Sequence, residues 1–79
     1  MSSLTRRQRE VLTLAANGKT NTQIGEALGI TRNTADRHLA GVYEALGVRD
    51  RAQAVAVALA VGELGVQEIY VPEKARELT

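Results

Sequence analysis

One stretch, from Thr31 to Gly47, limits most strongly what this chain can fold into. At the helical spacing of about 100° per residue, one side of this stretch collects apolar residues: Ala35, Leu39, Val42 and Leu46. The opposite side carries Asn33, Arg37, Ala40, Gly41 and Glu44. One face is therefore suited to a core and the other to a partner. Thr31 is a good N-cap and Gly47 suits the left-handed residue that ends a helix, so both ends are marked.

The segment just before this helix has the pattern of a short helix and a tight turn. Its apolar residues Ile24 and Leu28 lie four positions apart, and Gly29 can adopt a positive φ before Thr31. Gly25 has no side chain to hold two crossing helices apart, so their backbones can approach closely. Together these features predict a helix-turn-helix.

Capping signals mark the start of this short helix, helix two, and of one more helix before it. Thr5 and Gln8 have the spacing of a capping box, and Asn17 with Gly18 marks the end of helix one. The same Thr-x-x-Gln spacing starts helix two at Thr20. Short polar side chains and a lysine surround the N-terminus of helix two, a setting that suits an anion such as phosphate: Lys19, Thr20, Asn21 and Thr22. The alternative is that Thr20 only caps the helix and its neighbours are solvated.

Helix four is predicted to begin at Asp50, which forms a third capping box with Gln53, and to continue to Gly62. Its expected inward stripe is Ala54, Val55, Ala58 and Val61. The opposite side is small and apolar enough for a second helix to pack closely against it: Gln53, Ala56, Val57 and Ala60. We expect a dimer interface there. The alternative is an alanine-rich helix that reflects helix propensity alone.

The helical pattern weakens after Gly62. Gly65 interrupts it, residues 66–71 suit an extended segment, and Pro72 suits the first turn of a short helix. The sequence therefore predicts an all-α protein, with a four-helix domain over residues 4–62 and a C-terminal extension over residues 63–79.

Composition argues against several classes of protein. Without cysteine there is no disulfide framework, and no apolar run approaches the roughly 20 residues that would span a membrane. No export signal follows the first residue, so we expect a cytoplasmic protein without a membrane partner. A single histidine and scattered carboxylates offer little to an enzyme, a metal or a cofactor, and we expect none. His38 lies beside the core stripe, as a helix-packing residue or a phosphate contact.

Charge is distributed unevenly along the chain. Residues 1–51 hold eight Lys or Arg and five Asp or Glu, a net charge of +3, whereas residues 52–79 hold two and four, a net charge of −2. The basic part coincides with the helix-turn-helix. This excess is compatible with nucleic acid but also with an ordinary solvated surface.

Arg37 is the strongest candidate for reading a base. It lies at the centre of the outward face, where a guanidinium can donate two hydrogen bonds to guanine O6 and N7; the alternative is an arginine that is simply solvated. Arg32 and Asn33, in the first turn, are candidates for bases or phosphates, and Ala40 could contact a thymine methyl group. Thr31 and Thr34 are candidates for phosphates.

Many of these residues together resemble a known domain. The matching positions are Leu4-Thr5-x-Arg7-x-x-Glu10-Val11-Leu12, Gly18-x-x-Asn21-x-x-Ile24, Leu28-x-Ile30-x-x-x-Thr34, His38 and Leu46-Gly47-Val48-x-x-Arg51-x-x-Ala54-Val55. Over about residues 4–62 the chain resembles the LuxR/FixJ/GerE-type DNA-binding domain. The resemblance implies a transcription regulator whose third helix enters the major groove and whose fourth helix pairs two protomers.

The chain departs from the family pattern at two positions in this third helix. Ala35 replaces a common valine and thins the core, and Asp36 replaces a frequent lysine. A carboxylate near DNA repels phosphates, but it can accept a hydrogen bond from a cytosine amino group, which makes Asp36 a candidate base reader.

The leading interpretation is a sequence-specific, dimeric regulator that binds double-stranded DNA. The rival is a protein-interaction module that keeps the fold and binds RNA polymerase or another regulator through its acidic C-terminal part. Asp36 and the small net charge favour the rival, whereas the Thr/Asn-rich anion site and Arg37 favour DNA.

Overall fold

The computed structural model describes residues 4–78, and these fold into helices without any strand. Four main helices come first: α1 (Arg6–Ala16), α2 (Asn21–Leu28), α3 (Arg32–Leu46) and α4 (Arg51–Ala60). A 3₁₀ turn at Val66–Glu68 and a short helix α5 (Glu73–Arg76) follow. The prediction of an all-α fold is confirmed.

The helix ends lie where the capping signals predict. Thr5 Oγ1 accepts a hydrogen bond from Gln8 N at 3.1 Å, and Thr5 N donates to Gln8 Oε1 at 3.0 Å. The same reciprocal pair forms between Thr20 and Gln23. Thr31 caps α3, and Gly47 ends it with a φ of +71°. The hydrogen bonds accepted by Thr5, Thr20 and Thr31 satisfy backbone amides that the first turn of a helix leaves without partners.

The capping box predicted for helix four is only half formed. Asp50 Oδ1 accepts from Gln53 N at 2.8 Å, as expected. Gln53 Oε1, however, accepts from Arg49 N at 3.3 Å instead of from the Asp50 amide. The side chain of Gln53 therefore reaches one residue further back than a capping box requires.

Helix α3 contacts each of the other three main helices and lies between two clusters of buried apolar residues. Ala35 and Leu39 pack in the cluster with α2, and Val42 packs in the cluster with α4. Tyr43 packs against both clusters. The predicted apolar stripe on α3 thus contributes to both parts of the core. Its burial directs the opposite face of the helix outward.

Two residues lie elsewhere than the helical pattern predicts. Helical spacing predicts Gly41 on the outward face, but it is half-buried, and a Cβ built on it would meet the side chain of Gln8 on α1. The same spacing predicts Val61 in the inward stripe of helix four, but 62% of its surface is exposed. Leu64 occupies the core in its place, with 1% exposed.

The turn at the end of α4 explains the exchange of Val61 for Leu64. Gly62 adopts a φ of +80°, and the Glu63 amide donates to the Ala58 carbonyl at 2.9 Å. This Schellman-type turn ends the helix before Val61 can face the core and directs the following residues back onto the domain.

The C-terminal extension is fastened to α1 by polar contacts. Arg9 forms an ion pair with Glu63 at 2.9 Å, and Asn17 donates to the Glu68 carbonyl at 3.0 Å. Tyr70 N donates to Asn17 Oδ1 at 2.7 Å. Ile69 packs against the same core cluster as Leu64. The core therefore continues past residue 62, and the division of the chain at that residue stays a prediction.

The expectation of an extended segment over residues 66–71 is wrong at its start. Val66–Glu68 form a 3₁₀ turn, whose Gly65 amide donates to Glu68 Oε1 at 2.9 Å. Ile69 has extended backbone angles, and the short helix after Pro72 forms as predicted.

Replacing Gly25 with alanine tests the close approach of α2 to the turn before α3. The new Cβ would lie 2.6 Å from the Ile30 carbonyl oxygen and 3.2 Å from the Thr31 carbonyl carbon. Because backbone must move to relieve this overlap, we expect Gly25→Ala to lower the free energy of unfolding by about 1–3 kcal/mol. Urea unfolding followed by circular dichroism measures this change.

Gly41→Ala is the matched control, since its Cβ would meet only the side-chain amide of Gln8 and no backbone atom. Alanine gains up to about 1 kcal/mol of helix propensity there, which offsets the shift of the Gln8 amide away from its contact with Thr5 N, so we expect a smaller loss of stability than in Gly25→Ala. Equal loss of stability in both variants would contradict the proposed close approach.

Candidate nucleic-acid interface

The outward face of α3 presents a row of accessible side chains. Arg32, Asn33, Arg37 and Ala40 are all exposed. The core stripe on the opposite side of the helix fixes their direction. Arg37 lies in the middle of the row, as the sequence predicts, and it is long enough to reach a partner beyond the helix surface.

Three candidate phosphate contacts lie beside this row. Thr31 Oγ1 accepts from the Thr34 amide at 3.1 Å, and the two hydroxyl oxygens lie 2.9 Å apart. Thr31 is exposed, whereas Thr34 and His38 are half-buried. The hydroxyls thus already stabilise the start of α3, and a phosphate contact would have to share them.

A cleft of about 640 Å³ opens at the N-terminus of α2. It brings together residues that are distant in the chain: Ala15, Gly18, Lys19, Thr20, Asn21, Thr22, Arg32 and Arg51. Three of these side chains are cations, and the free amides of the first turn of α2 add the positive end of the helix dipole. The cleft is therefore suited electrostatically to an anion.

A chain of hydrogen bonds joins three helices next to this cleft. Arg51 Nη1, at the start of α4, donates to the Lys19 carbonyl at 2.7 Å, and Arg51 Nη2 donates to Asn21 Oδ1. Asn21 Nδ2 in turn donates to Asp36 Oδ1 on α3. Asp36 is half-buried, so its carboxylate is directed at α2 rather than held free at the edge of the outward face.

Arg51 is a candidate site residue that the local sequence pattern does not predict. Arg51 and Asn21 are separated by 30 positions in the chain, and nothing local indicates that they meet. One signal was present, because a cation in the first turn of a helix opposes the helix dipole. An arginine directly after the N-cap Asp50 therefore indicates a partner outside its own helix.

The outer face of α4 is accessible over most of its length. Gln53, Ala56 and Ala60 are exposed and Val57 is half-buried. The exposed Val61 lies directly after the end of this helix and extends the apolar surface. These residues form a surface of small side chains that a second helix could approach.

Within residues 4–78 no group of three or more His, Cys, Asp or Glu side chains could hold a metal ion. None of the helices in this part of the chain has both the length and the apolarity to cross a membrane.

The fold and the exposed face of α3 define a helix-turn-helix domain. The sequence matches the family described as "Bacterial regulatory proteins, luxR family" over residues 2–58. The chain therefore belongs to the luxR family. This is a family of DNA-binding transcription regulators rather than of enzymes.

Individual relatives agree with this assignment. The chain is 49% identical over 61 residues to "Probable transcriptional regulatory protein SgaR" of Hyphomicrobium methylovorum, a match that covers 77% of this chain and 29% of SgaR. It is 41% identical over 61 residues to the spore germination protein GerE of Bacillus subtilis, covering 77% of this chain and 82% of GerE. The chain thus spans less than a third of SgaR but most of GerE.

A solved structure of transcription factor GerE has a similar fold. It superposes with a TM-score of 0.77 at 34% identity, covering 82% of this chain and 97% of GerE.

Thr20 and Thr22 differ in what they contribute to the N-terminus of α2, and alanine substitution separates their roles. Thr20 accepts from the Gln23 amide at 3.1 Å, so Thr20→Ala should lower the free energy of unfolding by about 1 kcal/mol. Thr22 is exposed within the first turn, so Thr22→Ala should leave stability nearly unchanged. Thermal unfolding of both variants is the measurement. Equal stability of the two variants would contradict the assigned cap.

Proposed function

We propose that this protein is a sequence-specific regulator of transcription that binds double-stranded DNA through the major groove. The observation that carries the proposal is the placement of Arg37 on the exposed face of α3, a helix whose first residue, Arg32, lines a cleft together with Lys19 and Arg51. A recognition helix needs base-reading side chains on its outward face and phosphate contacts nearby to set its position.

Base edges and phosphates are assigned to different residues in this proposal. Arg37 reads guanine, Arg32 and Asn33 contact base edges near the start of α3, and Ala40 contacts a thymine methyl group. The proposed phosphate contacts lie at the N-termini of α2 and α3, with His38 further along α3: Lys19, Thr20, Asn21, Thr22, Thr31, Thr34 and His38. Base contacts provide specificity, whereas phosphate contacts provide position and affinity.

The protein acts as a homodimer in this proposal. Gln53, Ala56, Val57 and Ala60 form the contact, because their small side chains allow two copies of α4 to approach closely. A two-fold dimer would hold two α3 helices at a constant separation and so require two half-sites in the DNA. The similarity to regulators such as GerE supports a regulatory role for the whole protein.

Arg37→Ala and Lys19→Ala separate base reading from phosphate binding. Arg37→Ala should lose about 1–3 kcal/mol of binding free energy per half-site and weaken the preference for one particular base pair. Lys19→Ala should weaken binding to all DNA sequences alike and reduce the slope of the logarithm of the binding constant against the logarithm of salt concentration by about one. An operator is first selected from random duplex DNA, and affinities are then measured on that operator and its single-base variants at two salt concentrations.

Two results would contradict these roles. If Arg37→Ala lowers affinity equally for every operator variant, Arg37 is a phosphate contact. If the wild-type protein binds no duplex, or binds it without salt dependence, the alternative of a module that binds RNA polymerase or another regulator is favoured instead.

The dimer is tested by placing charge on the outer face of α4. Ala56→Glu combined with Ala60→Glu should abolish dimerisation and leave each protomer folded, because both alanines are exposed in the single chain. Ala27→Glu combined with Ala45→Glu is the matched control, since it adds the same charge at exposed positions of α2 and α3. Light scattering gives the mass and circular dichroism the helix content. A wild-type protein that is monomeric even on DNA would overturn the dimer.

A further inference from the structure

Asp36 is an acidic residue on the helix that we propose enters the major groove, where it would face phosphates. Its carboxylate is already engaged, because Oδ1 accepts a hydrogen bond from Asn21 Nδ2 and the side chain is half-buried. Asp36 is therefore tied to α2 instead of projecting with Arg37 from the outward face.

The side-chain amide of Asn21 links Asp36 to Arg51 on α4. Asn21 Oδ1 accepts from Arg51 Nη2, and Arg51 Nη1 donates to the Lys19 carbonyl at 2.7 Å. An ionised carboxylate only accepts and a guanidinium only donates, so the amide between them has a single orientation that satisfies both neighbours. Opposite charges at its two ends strengthen both hydrogen bonds.

Arg51 is held at the anion-suited cleft by this chain of contacts. It lines the cleft together with Lys19, Thr20 and Arg32. A guanidinium has five N–H donors, of which the contacts to Lys19 and Asn21 use two. Donors therefore remain for a phosphate oxygen, and the geometry of the guanidinium is set before any ligand arrives.

We infer that Asp36 is a positioning residue that acts through Asn21 to hold Arg51 for a backbone phosphate, and that it does not read a base. This inference rests on the proposed DNA-binding function. It assigns to α4 a direct phosphate contact, so that the helix proposed to join two protomers also touches the DNA.

Three roles for Asp36 lead to different outcomes when it is replaced. If the carboxylate merely repels phosphates, Asp36→Ala and Asp36→Asn both strengthen binding to every duplex. If it reads cytosine, Asp36→Ala relaxes one base pair and Asp36→Asn shifts preference there towards adenine. If it positions Arg51, Asp36→Ala weakens binding to every duplex, and Asp36→Asn recovers most of the loss because asparagine still offers an oxygen to Asn21 Nδ2.

The experiment measures affinity for a selected operator and its single-base variants across a series of salt concentrations. Asp36→Ala should weaken binding roughly three- to tenfold on all of them and reduce the salt slope by about one. In an Arg51→Ala background, Asp36→Ala should have no further weakening effect, since no guanidinium remains to be positioned. Glu44→Ala, which removes an exposed acid from the same helix, is the control and should strengthen binding slightly.

If Asp36→Ala is poorly folded, Asn21→Ala provides a second test of the same contacts. It breaks the same chain of contacts at its middle and also removes a proposed phosphate contact, so it should weaken binding to every duplex by at least the same factor and reduce the salt slope by about one. Additive losses from Asp36→Ala and Arg51→Ala, or a change in preference at a single base pair, would overturn the inference while leaving the proposed function intact. A wild-type protein that binds no duplex would overturn both.

Discussion

The structure depends on burial of the apolar stripe of α3. Ala35, Leu39 and Val42 each expose 2% or less of their surface; Ala35 and Leu39 belong to one buried cluster, and Val42, further along the helix, belongs to the other. Burial of such side chains is the main favourable term in folding a chain of this size. Because α3 is held from three sides, its outward face has one orientation relative to α2 and α4.

The residues that stabilise the fold are therefore largely different from those proposed to contact bases. The side chains proposed to touch bases contribute little to the core, since Arg32, Asn33 and Arg37 are exposed. Those proposed to touch phosphates are partly structural, because Thr20 and Thr31 cap helices and Asn21 links Asp36 to Arg51. Base-reading residues can therefore vary with little effect on stability, whereas changes at Thr20, Asn21 or Thr31 also remove contacts within the fold.

Most of the fold could be predicted because its signals are local. The Thr5 and Thr20 capping boxes and the left-handed Gly47 depend on residues within one turn of each other. The contacts of Arg51 could not be predicted in this way, because they join residues 30 and 32 positions apart. Helical periodicity predicts a buried Val61, but α4 ends at Ala60 and Val61 belongs to the turn that follows, where that periodicity no longer holds.

The two tyrosines occupy opposite environments, and the chain contains no tryptophan or phenylalanine. Tyr43 packs between both core clusters, while 70% of the surface of Tyr70 is exposed. The ring of Tyr70 therefore keeps nearly the same solvent environment when the protein unfolds, and that of Tyr43 does not. Near-ultraviolet absorbance consequently follows mainly the half-buried ring that packs against both clusters, so the molecule carries its own spectroscopic probe of the contact between them.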